Sequence, residues 1–293
     1  MKIYILGING MLGSELFYRF NKNTKINTRG CTRSDYINNF SAFHNKIDYN
    51  VSAYELKKIK NKIKIFKPNY VINCIGLIKQ KINKFVKFSE VFYINSIFPK
   101  EIYKITKLLN IKLIHFSTDC VFDGKIGNYN ENSMPNATDL YGFSKYLGEK
   151  YLGELKGNKV ITFRTSIIGH EMSSGHGLLE WFLSKKKCLG YTHSFFSGFT
   201  TFEIFNFINK YINIKNQKVF GLYNLSSSKI SKYSLLKIIA KIYNKKILIK
   251  KDSTVRLNRV LNSSLIKKKL SYRSPSWKKM ITDMNKNKIS FFN

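Results

Sequence analysis

Tyr141 and Lys145 stand four residues apart in Tyr141-Gly142-Phe143-Ser144-Lys145, a spacing that puts a phenol and an ammonium on one face of a helix. A neighbouring ammonium favours phenolate and draws the phenol down from its ordinary pKa of about 10. Such a tyrosine can give a proton to a carbonyl oxygen while hydride arrives at the carbon, help worth roughly 10²–10⁴ in rate. Spacing alone singles out nothing, because Tyr18/Lys22, Tyr54/Lys58, Tyr103/Lys107, Tyr146/Lys150, Tyr211/Lys215 and Tyr233/Lys237 share it. Context separates Tyr141 from these. It follows the apolar run Lys112–Ser117, whose end, Ser117-Thr118-Asp119, would lie at the carboxyl edge of a sheet, where open α/β folds bind ligands. Thr118 there can hydrogen-bond a substrate carbonyl alongside Tyr141. Asn95, on the preceding helix, could hold a water that relays protons to Lys145, or equally could satisfy backbone groups.

A second element binds rather than reacts. Gly7-Ile8-Asn9-Gly10-Met11-Leu12-Gly13 follows a short β-type run, Lys2–Leu6, and opens a segment with helical spacing. Glycines allow the tight turn and let backbone N–H groups, with the helix N-terminus, approach a pyrophosphate. Gly7, Asn9, Gly10, Met11, Leu12 and Gly13 are therefore cofactor candidates. The acid expected at the end of the second strand is replaced by Thr32-Arg33-Ser34-Asp35. Arg33 suits a 2′-phosphate better than a free hydroxyl, so the reading leans to NADP(H), with Asp35 leaving NAD(H) open. Asp48 is a further candidate for the adenine end.

The elements that must position these groups alternate. Strand-like runs at Lys25–Cys31, Tyr70–Cys74, Lys112–Ser117 and Val160–Arg164 are separated by helical segments at Tyr54–Phe66, Glu90–Leu109 and Leu140–Leu155. Helices too long for hairpins between strands imply a parallel sheet covered on both faces. The expected class is α/β, a Rossmann-type doubly wound sheet with a smaller, partly interleaved C-terminal lobe. Its helices are expected at Leu178–Ser184, Phe202–Ile212 and Tyr233–Tyr243, with a strand at Val219–Leu225 and a lysine-rich tail. The domain expectation is 1–168 for the dinucleotide domain, with 198–225 returning to it, and 169–197 and 226–293 for the substrate lobe.

Composition narrows the classes. With 43% hydrophobic and 15% aromatic residues the chain is globular, and its net charge of +34 invites a nucleic-acid reading. The lysines, however, are spread through every segment among Asn, Ile, Tyr and Phe, as A/T-rich codons would produce, so a solvated lysine surface is preferred. The four cysteines, Cys31, Cys74, Cys120 and Cys188, form no C-x-x-C pair, which argues against a metal site or a disulfide framework. The opening MKIYILGINGMLG is a poor leader, and no apolar run approaches the roughly 20 residues of a membrane span. A soluble, cytoplasmic protein without specific nucleic-acid or membrane partners is expected.

The ordered set of motifs resembles the extended short-chain dehydrogenases/reductases. It comprises the glycine turn, Asn73-Cys74-Ile75-Gly76, Ile94-Asn95-Ser96, Ser117-Thr118-Asp119-Cys120-Val121-Phe122-Asp123-Gly124 and the Tyr141–Lys145 pair. The stretch ending Phe122-Asp123-Gly124, then Gly127-Asn128-Tyr129-Asn130-Glu131, is similar to the dTDP-4-dehydrorhamnose reductase branch, as is Arg259-Val260-Leu261-Asn262-Ser263, with Val260 in place of proline. The resemblance implies Tyr141 as proton donor, Lys145 on the nicotinamide ribose and Thr118 as substrate anchor. It implies a nucleotide-linked 4-keto deoxysugar as substrate. Cys74, Ile75, Gly76 and Asn95 are candidates beside the cofactor, and Thr118, Asp119, Tyr141, Trp181 and Arg259 are candidate substrate contacts, although packing against the core is the commoner use of a lone helical tryptophan such as Trp181. Arg259 suits the pyrophosphate, since a planar fork fits phosphate. Dehydratases of the superfamily carry T-D-E where this chain has Thr118-Asp119-Cys120, which disfavours water elimination. Arg164–Gly169, Gly177–Phe182 and Tyr191–Thr201 depart from the rhamnose branch, so a related sugar, including an N-acetylated one on UDP, stays open. A surface-polysaccharide reductase is the leading expectation. A transient-cofactor epimerase and a non-catalytic regulatory subunit are the alternatives, and a homodimer is one option for assembly.

Overall fold

The computed structural model describes residues 1–82, 85–155, 159–172 and 175–290. In chain order it contains β1 (Lys2–Leu6), α1 (Met11–Lys22), β2 (Asn27–Cys31), β3 (Ile47–Asp48), α2 (Leu56–Phe66), β4 (Tyr70–Asn73), α3 (Phe88–Phe92), a π turn (Tyr93–Ile97), α4 (Phe98–Leu108), β5 (Lys112–Thr118), α5 (Leu140–Glu154) and β6 (Val160–Thr165). There follow β7 (Ile167–Ile168), α6 (Leu178–Ser184), β8 (Lys187–Tyr191), β9 (Ser194–Phe196), β10 (Phe199–Thr200), α7 (Thr201–Ile212), β11 (Gly221–Asn224), β12 (Ile230–Ser231), α8 (Lys232–Ile242), β13 (Leu248–Asp252), β14 (Leu257–Asn258), α9 (Ser264–Lys269) and α10 (Trp277–Lys286).

The strands form a seven-stranded sheet in the order β11-β6-β5-β4-β1-β2-β3. The pairs β1–β2, β1–β4, β2–β3 and β4–β5 are parallel. This is the expected α/β class, and its cause is legible in the strands: β1, β4 and β5 are buried almost throughout, as strands covered on both faces must be. One face packs Tyr4, Leu6, Val71 and Leu113 against Ile59 and Ile63 of α2 and Phe98 and Ile102 of α4. On β2, a Cβ at Gly30 would come within 3.0 Å of the Phe17 ring of α1.

The chain divides into two compact units interleaved in sequence. The first comprises 1–117, 139–163 and 218–222, and the second 118–138, 164–217 and 223–293. Residues 118–138, 164–168, 198–217 and 223–225 fall in the second unit, whereas the sequence reading places them with the first.

The expected helix Glu90–Leu109 is one continuous run of α3, π turn and α4, beginning two residues earlier. The lysine-rich tail carries structure that the sequence reading did not assign: β13 pairs in parallel with β8, and α10 buries Trp277, Met280, Ile281 and Met284. Among the described residues no helix is long and apolar enough to cross a membrane, and no group of three or more His, Cys, Asp or Glu could hold a metal.

Candidate active site

In the first unit β1 delivers the chain into the glycine turn. Gly7 has φ +83°, and a Cβ there would meet Ile75 Cγ1 at 2.8 Å. A Cβ at Gly13 would lie 2.1 Å from the Gly7 carbonyl oxygen. The fold itself therefore demands these two glycines. Gly10 is different: its Cβ would find only the Gly7 oxygen, at 3.6 Å. The Gly7 and Ile8 amides both donate to the Cys31 carbonyl, at 3.1 and 3.2 Å, which shapes the turn. Gly10 caps α1 in an extended conformation without a side-chain bond, and the first turn holds no acid. The opening N–H groups of a helix have no intrahelical acceptor. Those of Met11, Leu12 and Gly13 thus form an uncapped, positively polarised end that fits a pyrophosphate.

The turn is tied sideways. Asn9 Nδ2 donates to Ser34 Oγ at 3.4 Å, and the Ser34 amide donates to Thr32 Oγ1 at 3.1 Å. Arg33 between them is exposed, in electrostatic reach of Tyr54, whose ring stacks on Tyr93 at 4.6 Å. Asp35 is also exposed. Asp48 is buried, and its carboxylate accepts from Tyr4 Oη at 2.8 Å, Arg29 Nη2 at 3.3 Å and Lys62 Nζ at 2.9 Å. Three side chains from three elements thus converge on that carboxylate.

Beyond β4, the Cys74-Ile75-Gly76-Leu77 loop is clamped. Asn73 Oδ1 accepts from the Ile75 amide at 3.0 Å. Asn95 Oδ1 accepts from the Leu77 amide at 2.9 Å, while its Nδ2 donates to the Leu77 carbonyl at 3.0 Å and to Ser144 Oγ at 3.0 Å. Both amide hydrogens of Asn95 are thereby used within the protein. The π turn brings this about by adding a residue to the helical turn that carries Asn95. Gly148 of α5 packs so closely here that a Cβ would sit 2.4 Å from the Asn95 carbonyl oxygen.

Helix α5 starts at Asp139, whose side chain accepts from the Gly142 amide at 2.8 Å, and Lys79 pairs with Asp139 at 2.9 Å. This cap places half-buried Tyr141 in the first turn and buried Lys145 in the second. Lys145 Nζ donates to the Phe116 carbonyl at 2.7 Å. Burial pulls the Lys145 pKa from 10.5 down to about 8, against the opposing pull of Glu149 and Cys74. A Cβ on Gly76 would lie 3.6 Å from Asn95 Oδ1 and 3.9 Å from Lys145 Nζ. The structure thus brings Cys74, Gly76, Asn95 and Lys145 together within one unit. Sequence reasoning missed Glu149, which accepts from Ser117 Oγ at 2.5 Å with both side chains buried. Its signal was its place one further turn along the Tyr141–Lys145 face.

In the second unit, Thr118 Oγ1 accepts from the Cys120 amide at 3.1 Å and donates to Asp119 Oδ1 at 3.2 Å. Burial pushes the Asp119 carboxyl up, with Ser166 and Arg259 opposing. Arg259 donates from Nε to the Phe122 carbonyl at 2.9 Å and from Nη1 to Cys120 Sγ at 3.2 Å. Lys232, lowered mainly by burial, faces Asp119 and Cys120. The Gly127–Glu131 and Arg259–Ser263 segments dock on each other: Tyr129 donates its amide to Val260 at 3.0 Å and accepts from Asn262 at 2.7 Å. Trp181 lies on α6, 38% exposed, and its neighbour Glu180 bonds buried His170 at 2.9 Å.

Several known proteins resemble this chain. It is 28% identical over 147 residues to methionine adenosyltransferase 2 subunit beta of Xenopus tropicalis, covering 50% of this chain and 41% of that protein. The matched stretch is therefore less than half of the relative's length. The crystal structure of dTDP-4-dehydrorhamnose reductase from Bacillus anthracis in complex with NADP superposes with a TM-score of 0.80, at 20% identity, covering 98% of this chain and 99% of that one. The Bordetella bronchiseptica enzyme WbmG in complex with NAD gives 0.81 at 16% identity, covering 100% and 96%. These likenesses establish a shared fold. A family model described as the RmlD substrate binding domain matches residues 1–289, and the chain belongs to that family.

Proposed function

We propose that this protein is an NAD(P)H-dependent reductase of the 4-keto group of a nucleotide-linked deoxysugar, serving surface-polysaccharide precursor synthesis. The observation that supports this most strongly is Lys145: a buried cation one turn beyond Tyr141, held by the Phe116 carbonyl beside Gly76. Membership of the family and the sugar-nucleotide reductases among its structural likenesses favour the same reading. The first unit takes the dinucleotide, with its pyrophosphate at the uncapped start of α1. Arg33 favours NADP(H) over NAD(H). Thr118, Asp119, Trp181 and Arg259 are the proposed contacts of the sugar nucleotide, Arg259 through its phosphates.

The nicotinamide supplies hydride when bound. Tyr141 gives its phenolic proton to the substrate oxygen, so that a ketone gains one hydride and one proton and leaves as an alcohol. Lys145 stabilises the phenolate left behind until a proton returns. Thr118 orients the carbonyl.

One observation favours a second reading. Relatives at 28% identity carry the name methionine adenosyltransferase 2 subunit beta, so the second reading is a subunit that binds dinucleotide without acting on a sugar. Incubation with NADPH or NADH and freshly made dTDP- and UDP-linked 4-keto-6-deoxysugars, followed by NMR of the sugar, separates the readings. A reductase consumes nicotinamide and yields the 4-hydroxy sugar. An epimerase isomerises the sugar with no net nicotinamide change, and a regulatory subunit binds dinucleotide and alters no sugar.

A further inference from the structure

We propose that Glu149 is a positioning residue for the Tyr141–Lys145 pair, anchored by Ser117 and holding the Lys145 ammonium in place. The inference rests on the reading of Lys145 given above.

Strand β5 and helix α5 are joined by two consecutive rungs. The Phe116 carbonyl accepts from Lys145 Nζ at 2.7 Å, and the next residue, Ser117, donates its hydroxyl to Glu149 Oε1 at 2.5 Å. Tyr141, Lys145 and Glu149 follow one another at four-residue intervals along α5, hence along one face. Lys145, Ser117 and Glu149 are 6%, 6% and 7% exposed, so water screens this arrangement little.

The groups around Lys145 leave Glu149 a distinct task. From β5 comes His115, buried, bonded to Asn73 at 3.2 Å and pushed by burial well below its ordinary range, hence neutral. From the loop after β4 comes Cys74, whose thiol burial pushes up and keeps protonated. From α5 itself come Tyr141 and Glu149. Among the described groups that act on Lys145, Glu149 is the carboxylate. A buried ammonium without a counter-charge gives up its proton or moves towards water. The Ser117 hydroxyl fixes the carboxylate that prevents this, and it does so at the residue before Thr118.

The test needs neither cofactor nor sugar, so it succeeds or fails separately from the reductase reading. Protein labelled with 13C at the lysine ε-carbons is titrated by NMR, with the Lys145 resonance assigned by its loss in Lys145→Arg. In wild type the Lys145 resonance should titrate near pH 8. In Glu149→Gln that midpoint should fall by about one unit or more, a roughly tenfold smaller ammonium fraction at alkaline pH. Glu149→Asp, shorter by one methylene, should show a smaller fall, and it carries the test if the glutamine variant does not fold. A Lys145 midpoint unmoved in the folded variant overturns the proposal. In turnover, Glu149→Gln should lose activity increasingly as pH rises, whereas a purely structural residue would lower it evenly.

Discussion

Gly10→Ala and Gly13→Ala should fail in opposite ways, and the difference follows from two distances. The methyl group in Gly13→Ala would be built 2.1 Å from the Gly7 carbonyl oxygen, closer than any such contact can be. Helix propensity would reward alanine by about 1 kcal/mol, but overpacking of this kind costs about 1–3 kcal/mol. The carbonyl it strikes also belongs to the turn that sets the loop. Gly13→Ala should thus lower Tm by several degrees, at roughly 2–4 °C per kcal/mol for a chain of this size. In Gly10→Ala the methyl meets the same oxygen at 3.6 Å, ordinary contact, at φ −84° and ψ 164°, which any residue adopts. The loss there is the poorer N-cap, at most about 1 kcal/mol. That methyl would nevertheless stand at the N-cap of α1, where the proposed pyrophosphate must approach. NADPH affinity, followed by calorimetry or fluorescence, should weaken about tenfold or more, or about 1.4 kcal/mol, with Tm lowered by no more than about 2–4 °C. Wild-type NADPH affinity in a folded Gly10→Ala would refute the argument that this space belongs to a dinucleotide.

Three further outcomes are expected. Arg33→Ala should raise the Kd for NADPH about 10- to 100-fold, the loss of one charge-assisted phosphate contact, and change NADH binding by less than about twofold; equal losses would remove Arg33 from the 2′-phosphate. Lys145 is protonated below its pKa of about 8 and neutral above it, so turnover should fall on the alkaline side near pH 8 rather than near the usual lysine value of about 10. Profiles of initial rate against pH in wild type and Lys145→Arg check this, and a wild-type profile level to pH 10 would contradict it. Gly148→Ala, normally favourable inside a helix, should instead destabilise by about 1–3 kcal/mol, because its Cβ would press on the Asn95 carbonyl at 2.4 Å; denaturant unfolding measures it, and a gain in stability would contradict it.

Much of this fold is written in periodicity and punctuation. The apolar run of β1, the glycines after it and the helical spacing of α1 could be read together because each rests on local chemistry. Helix α6 begins and ends where its apolar pattern does. What stayed hidden depends on partners distant in sequence. The π turn at Tyr93–Ile97 adds one residue to a helical turn, which shifts the apolar stripe too little to show in the sequence. Strand β3 is two residues long, too short for alternation. Strand β13, with Lys250 and Lys251 in it, reads as solvated tail and becomes a strand by pairing with β8. The convergence of Tyr4, Arg29 and Lys62 on Asp48 from three other elements was likewise invisible in the sequence, because each partner lies far from it along the chain. Glu149 drew no reading from the sequence, because its buried partner Ser117 lies 32 positions away.

The most direct test of the central claim is nicotinamide consumption by wild type and by Tyr141→Phe, with NADPH and a freshly generated nucleotide-linked 4-keto deoxysugar. The account predicts steady loss of reduced nicotinamide in wild type. It predicts a fall of about 10²–10⁴ in the variant, the worth of a general acid, with NADPH still bound. Turnover in Tyr141→Phe equal to wild type would contradict it, as would a wild type that binds NADPH yet oxidises none across the dTDP- and UDP-linked substrates.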